Sequence, residues 1–153
     1  MQIIRATDYA VRAVVQLAIT PASLKVPGPT LARTIGAPES FVSKVLQQLV
    51  QAELLTSYRG ARGGFQLSRP AEQISLLEVV EAIEGPTRIN LCTLEGPNCE
   101  RKAWCGAHPV WTEAQTALTS VLRKASIADL ARATDPNAAQ LHGDPSVLTE
   151  AVG

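Results

Sequence analysis

Three cysteines and a histidine stand close together in the stretch LCTLEGPNCERKAWCGAH, with the spacing Cys92-x6-Cys99-x5-Cys105-x2-His108. They are the only cysteines of the chain. Three thiolates and an imidazole make a soft to borderline donor set. Iron–sulfur clusters prefer thiolates, and a histidine replaces a cysteine in some centres. Zinc competes for the same donors, because Cys₃His is also a structural zinc set. Structural zinc sites often contain tight C-x2-C knuckles. None occurs here, so the spacing leans toward a cluster. Gly96, Pro97 and Gly106 let the loop wrap round something bulky. The plain alternative, three free cysteines and a surface histidine, fits poorly with such crowding. An odd cysteine count is no disulfide framework. His142, alone near the C-terminus, reads as solvated.

A second group of residues suits contact with an anion. In ESFVSKVLQQL the apolar Val42, Val45, Leu46 and Leu49 recur at i, i+3, i+4 and i+7. Ser40, Ser43, Lys44 and Gln47 occupy the other side, so one face is core and the opposite face carries short hydrogen-bonding groups and a cation. The preceding TLARTIGAP supplies a short helix, with Thr30 as expected cap, Gly36 as stop and Pro38 in the first turn of the next helix. This is the helix-turn-helix pattern, whose second helix offers its polar face to the major groove. An ordinary amphipathic helix pair is the bland alternative, and the following residues shift the balance toward the first reading. LLTSYRGARGGFQLS reads as two strands, Leu55 to Tyr58 and Phe65 to Leu67, joined by an Arg/Gly turn. A hairpin with Arg59 and Arg62 at its tip, just after a helix-turn-helix, is the wing of a winged-helix domain. Ser57, Arg59, Gly60 and Arg62 are its candidate contacts with phosphates or a narrow minor groove.

The remaining elements position these two groups. Small and apolar residues at Tyr9, Ala10, Ala13, Val14, Leu17 and Ala18 predict a first helix over 7–19, with Asp8, Arg12 and Gln16 on its other side. PASLKVPGP after it is a loop by composition. Ser75-Leu76-Leu77-Glu78 fits a capping box opening a helix to about Glu84, ended by Gly85-Pro86. Trp111, Ala114, Leu118, Val121 and Leu122 mark a long amphipathic helix from Pro109 to about Lys124, either part of the core or, as often for a helix after a small winged domain, a dimer interface. Ile127 to Ala133 adds a turn or two of helix, and the residues from Thr134 onward have no periodicity. The expected architecture is mainly α with a small β-wing: a winged helix-turn-helix domain over 1–70, a cluster-binding loop and dimerisation helices over 71–133, and a mobile tail over 134–153.

Composition bounds the rest. The 153 residues, 46% hydrophobic and 18% charged, are globular in composition. No apolar run approaches the ~18 residues of a membrane span, and Arg5, Asp8 and Arg12 interrupt any secretory core near the N-terminus. A cytoplasmic protein is expected. The net charge of zero hides an asymmetry: residues 1–69 carry eight basic against three acidic side chains, and residues 70–153 carry six against eleven. A basic first half suits a nucleic-acid partner. No Ser/His/Asp set, P-loop or paired carboxylate site is present, so an enzyme is not expected.

The segments ATDYAVRA, ESFVSKVLQQL, YRGARGGFQL, the Cys/Cys/Cys/His loop and the late IADLA together resemble the Rrf2 family of bacterial winged-helix regulators, over most of residues 1–132. The resemblance implies a homodimer on a pseudo-palindromic double-stranded DNA operator. It also implies a [2Fe–2S] or [4Fe–4S] cluster held by Cys92, Cys99 and Cys105. His108 would be the fourth ligand, as in cluster-biogenesis members, or Asp8 of the partner subunit, as in nitric-oxide-responsive ones. Cluster-biogenesis members carry a base-selecting Glu where this chain has Ser43, so their operator sequence does not transfer. Two other readings stay open on the residues: a winged-helix regulator with a zinc or thiol-redox loop, and a small iron–sulfur protein that binds no DNA.

Overall fold

The computed structural model describes residues 3–93 and 99–134. Gly96, Pro97, His142 and the tail from residue 135 lie outside them. Six α-helices and one two-stranded hairpin follow in the order α1 (Arg5–Ile19), α2 (Gly28–Ile35), α3 (Glu39–Gln51), β1 (Leu55–Tyr58), β2 (Gly64–Leu67), α4 (Leu76–Glu84), α5 (His108–Lys124) and α6 (Ile127–Ala133). Short 3-10 turns occur at Ala71–Gln73 and Leu91–Thr93. The fold is mainly helical with a two-stranded antiparallel wing, as expected.

Helix α1 is the hub, in contact with α2, α3, α4 and α6. Its inner stripe of Thr7, Ala10, Ala13, Val14 and Leu17 is buried, with Val15 beside it. The small side chains let neighbouring helices come close. The N-cap position is held by Ile4, which has no acceptor to offer. A carboxylate from the far end of α4 braces that end of the helix instead: Glu84 Oε1 accepts from the Thr7 hydroxyl at 2.6 Å and from the N–H of Ile4 itself at 3.3 Å. An anion at this end also meets the positive pole of the helix dipole.

Helix α2 begins two residues before the expected cap. The Pro27 carbonyl accepts from the Leu31 N–H at 3.0 Å, which makes Gly28 and Pro29 its first turn and places Thr30 inside the helix, buried. Thr30 is therefore core-facing rather than a cap. Gly36 closes the helix in the left-handed region at φ 67°, and Pro38 stands at the N-cap of α3 rather than within its first turn. Val42, Val45, Leu46 and Leu49 of α3 are all buried, as the periodicity predicts.

Ser75 and Glu78 form the expected capping box of α4, and Ser126 and Asp129 form a second at α6. The two helix starts lie side by side. The Leu76 N–H donates to the Ala125 carbonyl and the Ile127 N–H to the Ile74 carbonyl, both at 2.8 Å. Ile74, Val79 and Ile127 thereby join the core of α1, α2 and α3 in one apolar cluster. Each such side chain contributes ~1.5–3 kcal/mol by leaving water. Helix α5, by contrast, has no buried residue. Among the described residues, no helix is long and apolar enough to cross a membrane.

Candidate nucleic-acid interface and cysteine loop

Ser40, Ser43, Lys44 and Gln47 are all exposed on α3, on the face away from the buried stripe. Phe41, also exposed, meets the Tyr9 ring of α1 edge-on at a centroid distance of 6.4 Å. In the wing, Leu55, Thr56, Ser57 and Tyr58 pair with Leu67, Gln66, Phe65 and Gly64, so Leu55, Ser57, Phe65 and Leu67 share one sheet face. Ser57, Arg59, Gly60 and Arg62 are exposed at the outer end of the hairpin. The ion pairs among the described residues are Arg12–Asp8, Arg69–Glu78 and Arg132–Asp129, which leaves Lys44, Arg59 and Arg62 outside any of them.

The wing glycines divide by what they approach. A Cβ on Gly63 would stand 2.3 Å from the Tyr58 carbonyl oxygen, and one on Gly64, at φ +153°, 2.6 Å from that of Val26. Their close approach is to the chain's own backbone. Gly60, at φ +102°, has open space around its Cβ position and is the glycine free to meet a partner. The segment before α2 belongs to the wing as well. Val26 forms an antiparallel bridge with Phe65, and Lys25 Nζ stands 4.1 Å from the centre of the Tyr58 ring. Lys25 was not among the residues singled out from the sequence, because a lone lysine in a Pro/Gly/Ser stretch carries no local signal.

The cysteine loop is attached to α5 at both ends. Gln115 of α5 accepts from the Ile89 N–H at 2.7 Å and donates to the Thr87 carbonyl at 2.8 Å. Its side-chain amide thus pairs with the backbone much as a strand would, and it holds the segment leading to the Leu91–Thr93 turn, which carries Cys92. On the other side, successive turns run from Cys99 into the helix. The Cys99 carbonyl accepts from the Lys102 N–H, the Arg101 carbonyl from Cys105, and the Cys105 carbonyl from His108. All three cysteines are half-buried free thiols. His108 opens α5, half-buried, with Nδ1 enclosed and lacking a hydrogen-bond partner among the described residues. Such an atom costs ~1–3 kcal/mol in desolvation unless something binds it. The donor set suits a thiolate-liganded iron–sulfur cluster or zinc. The described residues do not bring three of these groups within reach of one metal ion. Asp8 pairs with Arg12 on its own helix at 2.9 Å, both side chains about half exposed. Trp104 stands 72% exposed beneath the Arg101 guanidinium.

A family model described as "Rrf2: Iron-dependent Transcriptional regulator" matches residues 3–133. Over 144 residues the chain is 35% identical to protein Rv1287 of Mycobacterium tuberculosis, which carries the name of an HTH-type transcriptional regulator. The match covers 90% of this chain and 86% of that one. It is 31% identical over 132 residues to protein rrf2 of Nitratidesulfovibrio vulgaris, covering 86% and 88% respectively. Among solved structures, the fold is similar to that of CymR, the global cysteine regulator of B. subtilis, with a TM-score of 0.73, 24% identity and coverage of 88% and 99%. It is also similar to that of T. potens IscR, with a TM-score of 0.71, 21% identity and coverage of 90% of both chains. At those two identities the likeness is one of fold.

Proposed function

The chain belongs to the Rrf2 family of DNA-binding transcriptional regulators, which are not enzymes, and on that footing we propose that it is a homodimer whose operator affinity is set by an iron–sulfur cluster in the 92–108 loop. The observation that carries the cluster reading is His108, whose enclosed and unpartnered Nδ1 lies in the same loop as three free thiols. Cys92, Cys99, Cys105 and His108 would hold the cluster, [2Fe–2S] or [4Fe–4S], with Asp8 of a partner copy as the alternative fourth ligand. When bound, such a cluster supplies a centre that responds to oxidation, nitric oxide or iron supply.

The protein's own residues do the rest. Residues 1–70 read double-stranded DNA in the cytoplasm. Ser40, Ser43, Lys44 and Gln47 face bases or phosphates in the major groove. Ser57, Arg59, Gly60 and Arg62 follow the backbone or minor groove. Residues 71–133 hold the loop and pair the subunits. The dimer reading is supported by α5, which exposes Val110, Trp111 and Val121 and has no fully buried residue within its own chain. A two-fold pair of recognition helices meets a pseudo-palindrome in adjacent turns of DNA. A change in the loop then shifts the population between DNA-competent and incompetent pairings.

The test is anaerobic purification, a visible absorption spectrum, and iron and acid-labile sulfide assays on one sample. A charge-transfer band with matching iron and sulfide is expected, and its loss in Cys105→Ala but not in Arg59→Ala. A colourless protein after anaerobic reconstitution overturns the cluster reading. If that protein contains zinc, the same donors act as a Cys₃His structural site.

A further inference from the structure

The segment between α1 and α2 is bound to the wing through an isolated antiparallel bridge. The Val26 N–H donates to the Phe65 carbonyl at 3.1 Å and the Phe65 N–H to the Val26 carbonyl at 2.9 Å. Beside that bridge, Gln66 Nε2 donates to the carbonyls of Ala22 at 2.8 Å and Leu24 at 3.1 Å. In this register Lys25 lies opposite Gln66, on the sheet face that also holds Gly64 and Tyr58. From that face the lysine sets Nζ over the Tyr58 ring at 4.1 Å.

Three features make this more than a surface contact. The ring face fixes the ammonium as a point charge without neutralising it, and an ammonium has three donors, so some still face solvent. Lys25 itself is exposed and belongs to none of the ion pairs among the described residues. Its position is three residues before Gly28, so it lies between the Arg59/Arg62 hairpin and the start of the first helix of the helix-turn-helix. In helix-turn-helix complexes the first helix crosses the DNA backbone while the second lies in the groove, and on the reading above the hairpin follows the backbone or minor groove beside it. The geometry points to Lys25 as a DNA-phosphate contact, positioned by Tyr58 and by the Val26–Phe65 bridge. It becomes a fourth cation of the interface, beside Lys44, Arg59 and Arg62. This assignment rests on the reading of the wing as a DNA-contacting element.

A phosphate contact acts on any duplex, so the test needs no operator. The full-length protein is titrated against a fluorescein-labelled random-sequence duplex of about 30 base pairs, long enough for two half-sites a turn apart. Anisotropy is followed across a salt series for the parent, Lys25→Ala, Lys25→Arg and Arg59→Ala. Loss of one phosphate contact lowers the slope of log affinity against log salt by ~0.9 per subunit. Lys25→Ala is therefore expected to bind several-fold more weakly at the lowest salt, to follow the shallower slope, and to converge on the parent as salt rises. Lys25→Arg keeps the parental slope. If Lys25→Ala keeps the parental slope while Arg59→Ala loses it, Lys25 only packs on Tyr58 and the assignment is overturned, with the wing reading intact. If the parent does not bind, or neither variant changes the slope, the wing reading falls and Lys25 falls with it.

Discussion

Glu84 closes a ring between two helices that are far apart in the chain, and its removal has a calculable cost. Its Oε1 is the acceptor for the Thr7 hydroxyl, which is fully buried, and for the Ile4 N–H at the uncapped start of α1. A hydrogen bond to a charged group is worth ~1.5–3 kcal/mol net, and an orphaned buried hydroxyl costs a comparable amount. The helix-dipole contribution adds ~0.3–1 kcal/mol. Glu84→Ala is therefore expected to destabilise by about 2–3 kcal/mol. At roughly 3–4 °C per kcal/mol for a domain of this size, Tm falls by about 6–12 °C. Glu84→Gln keeps an acceptor oxygen and loses only the charge, so it costs about 1 kcal/mol. Thr7→Val removes the hydroxyl at constant shape. In a double-mutant cycle by thermal and urea unfolding, Thr7→Val and Glu84→Ala are expected to couple by about 1–2 kcal/mol. Strict additivity, or a Glu84→Ala protein as stable as the parent, would show that α1 is capped by water and that the link does not exist.

Three further outcomes follow from local geometry. Gly63→Ala forces a Cβ into the Tyr58 carbonyl at 2.3 Å, an overpacking of the kind that costs ~1–3 kcal/mol; it is expected to distort the wing and weaken duplex binding more than Gly60→Ala does, and equal affinities in the two variants would contradict this. Burial works to raise the Glu78 carboxyl, but hydrogen bonds from the Ser75 backbone and hydroxyl and the charge of Arg69 together hold it below its ordinary value. Asp129 is lowered likewise by the Ser126 hydroxyl and backbone and by Arg132. A depressed folded value means stability that is present above the ordinary carboxylate range and lost as pH falls through the folded value. Ser75→Ala should thus cost ~1 kcal/mol at neutral pH and progressively less in acid; a pH-independent difference in unfolding curves would refute the coupling. Gln115→Leu removes the amide that docks the 87–93 segment, so Cys92 is expected to alkylate severalfold faster by mass spectrometry while Cys105 does not change. Equal acceleration at both thiols would mean that the whole loop had loosened.

What was legible in the sequence is what neighbouring residues determine. The buried stripe of α3, its polar opposite face, the hairpin and the Ser75 capping box all follow from period and spacing within a few positions, and all appear where expected. Thr30 reads as a cap because Ser and Thr are good caps in isolation, whereas here the Pro27 carbonyl starts the helix earlier and tertiary packing buries the threonine. Glu84, Gln115 and Lys25 escaped for one shared reason. Each acts on a partner at least 26 positions away in the chain, and single-sequence periodicity has no signal at that range. The cysteine loop was legible as a donor set by composition. Its three-dimensional arrangement depends on chain reversal, which spacing does not determine.

The placement of these long-range bonds bears on how the loop would act on DNA. From the loop toward the recognition helix they form a short series: Gln115 to the backbone at 87–89, the Thr87 N–H to Glu81 Oε1 at 2.9 Å, and Glu84 to Thr7 and Ile4 of α1, which packs on α3. Yet α1, α3, α4 and α6 share one apolar core, and a close-packed core resists internal deformation. Helix α5 is different, because no residue of it is buried within the chain. On the proposed reading, a rearranged cysteine loop is therefore taken up where the structure is least constrained, at the contact of α5 with a second subunit. On that reading the recognition surface would stay rigid, and what would change is the distance between two copies of it. A regulator built this way loses affinity for an operator with two correctly spaced half-sites and keeps its affinity for a single half-site.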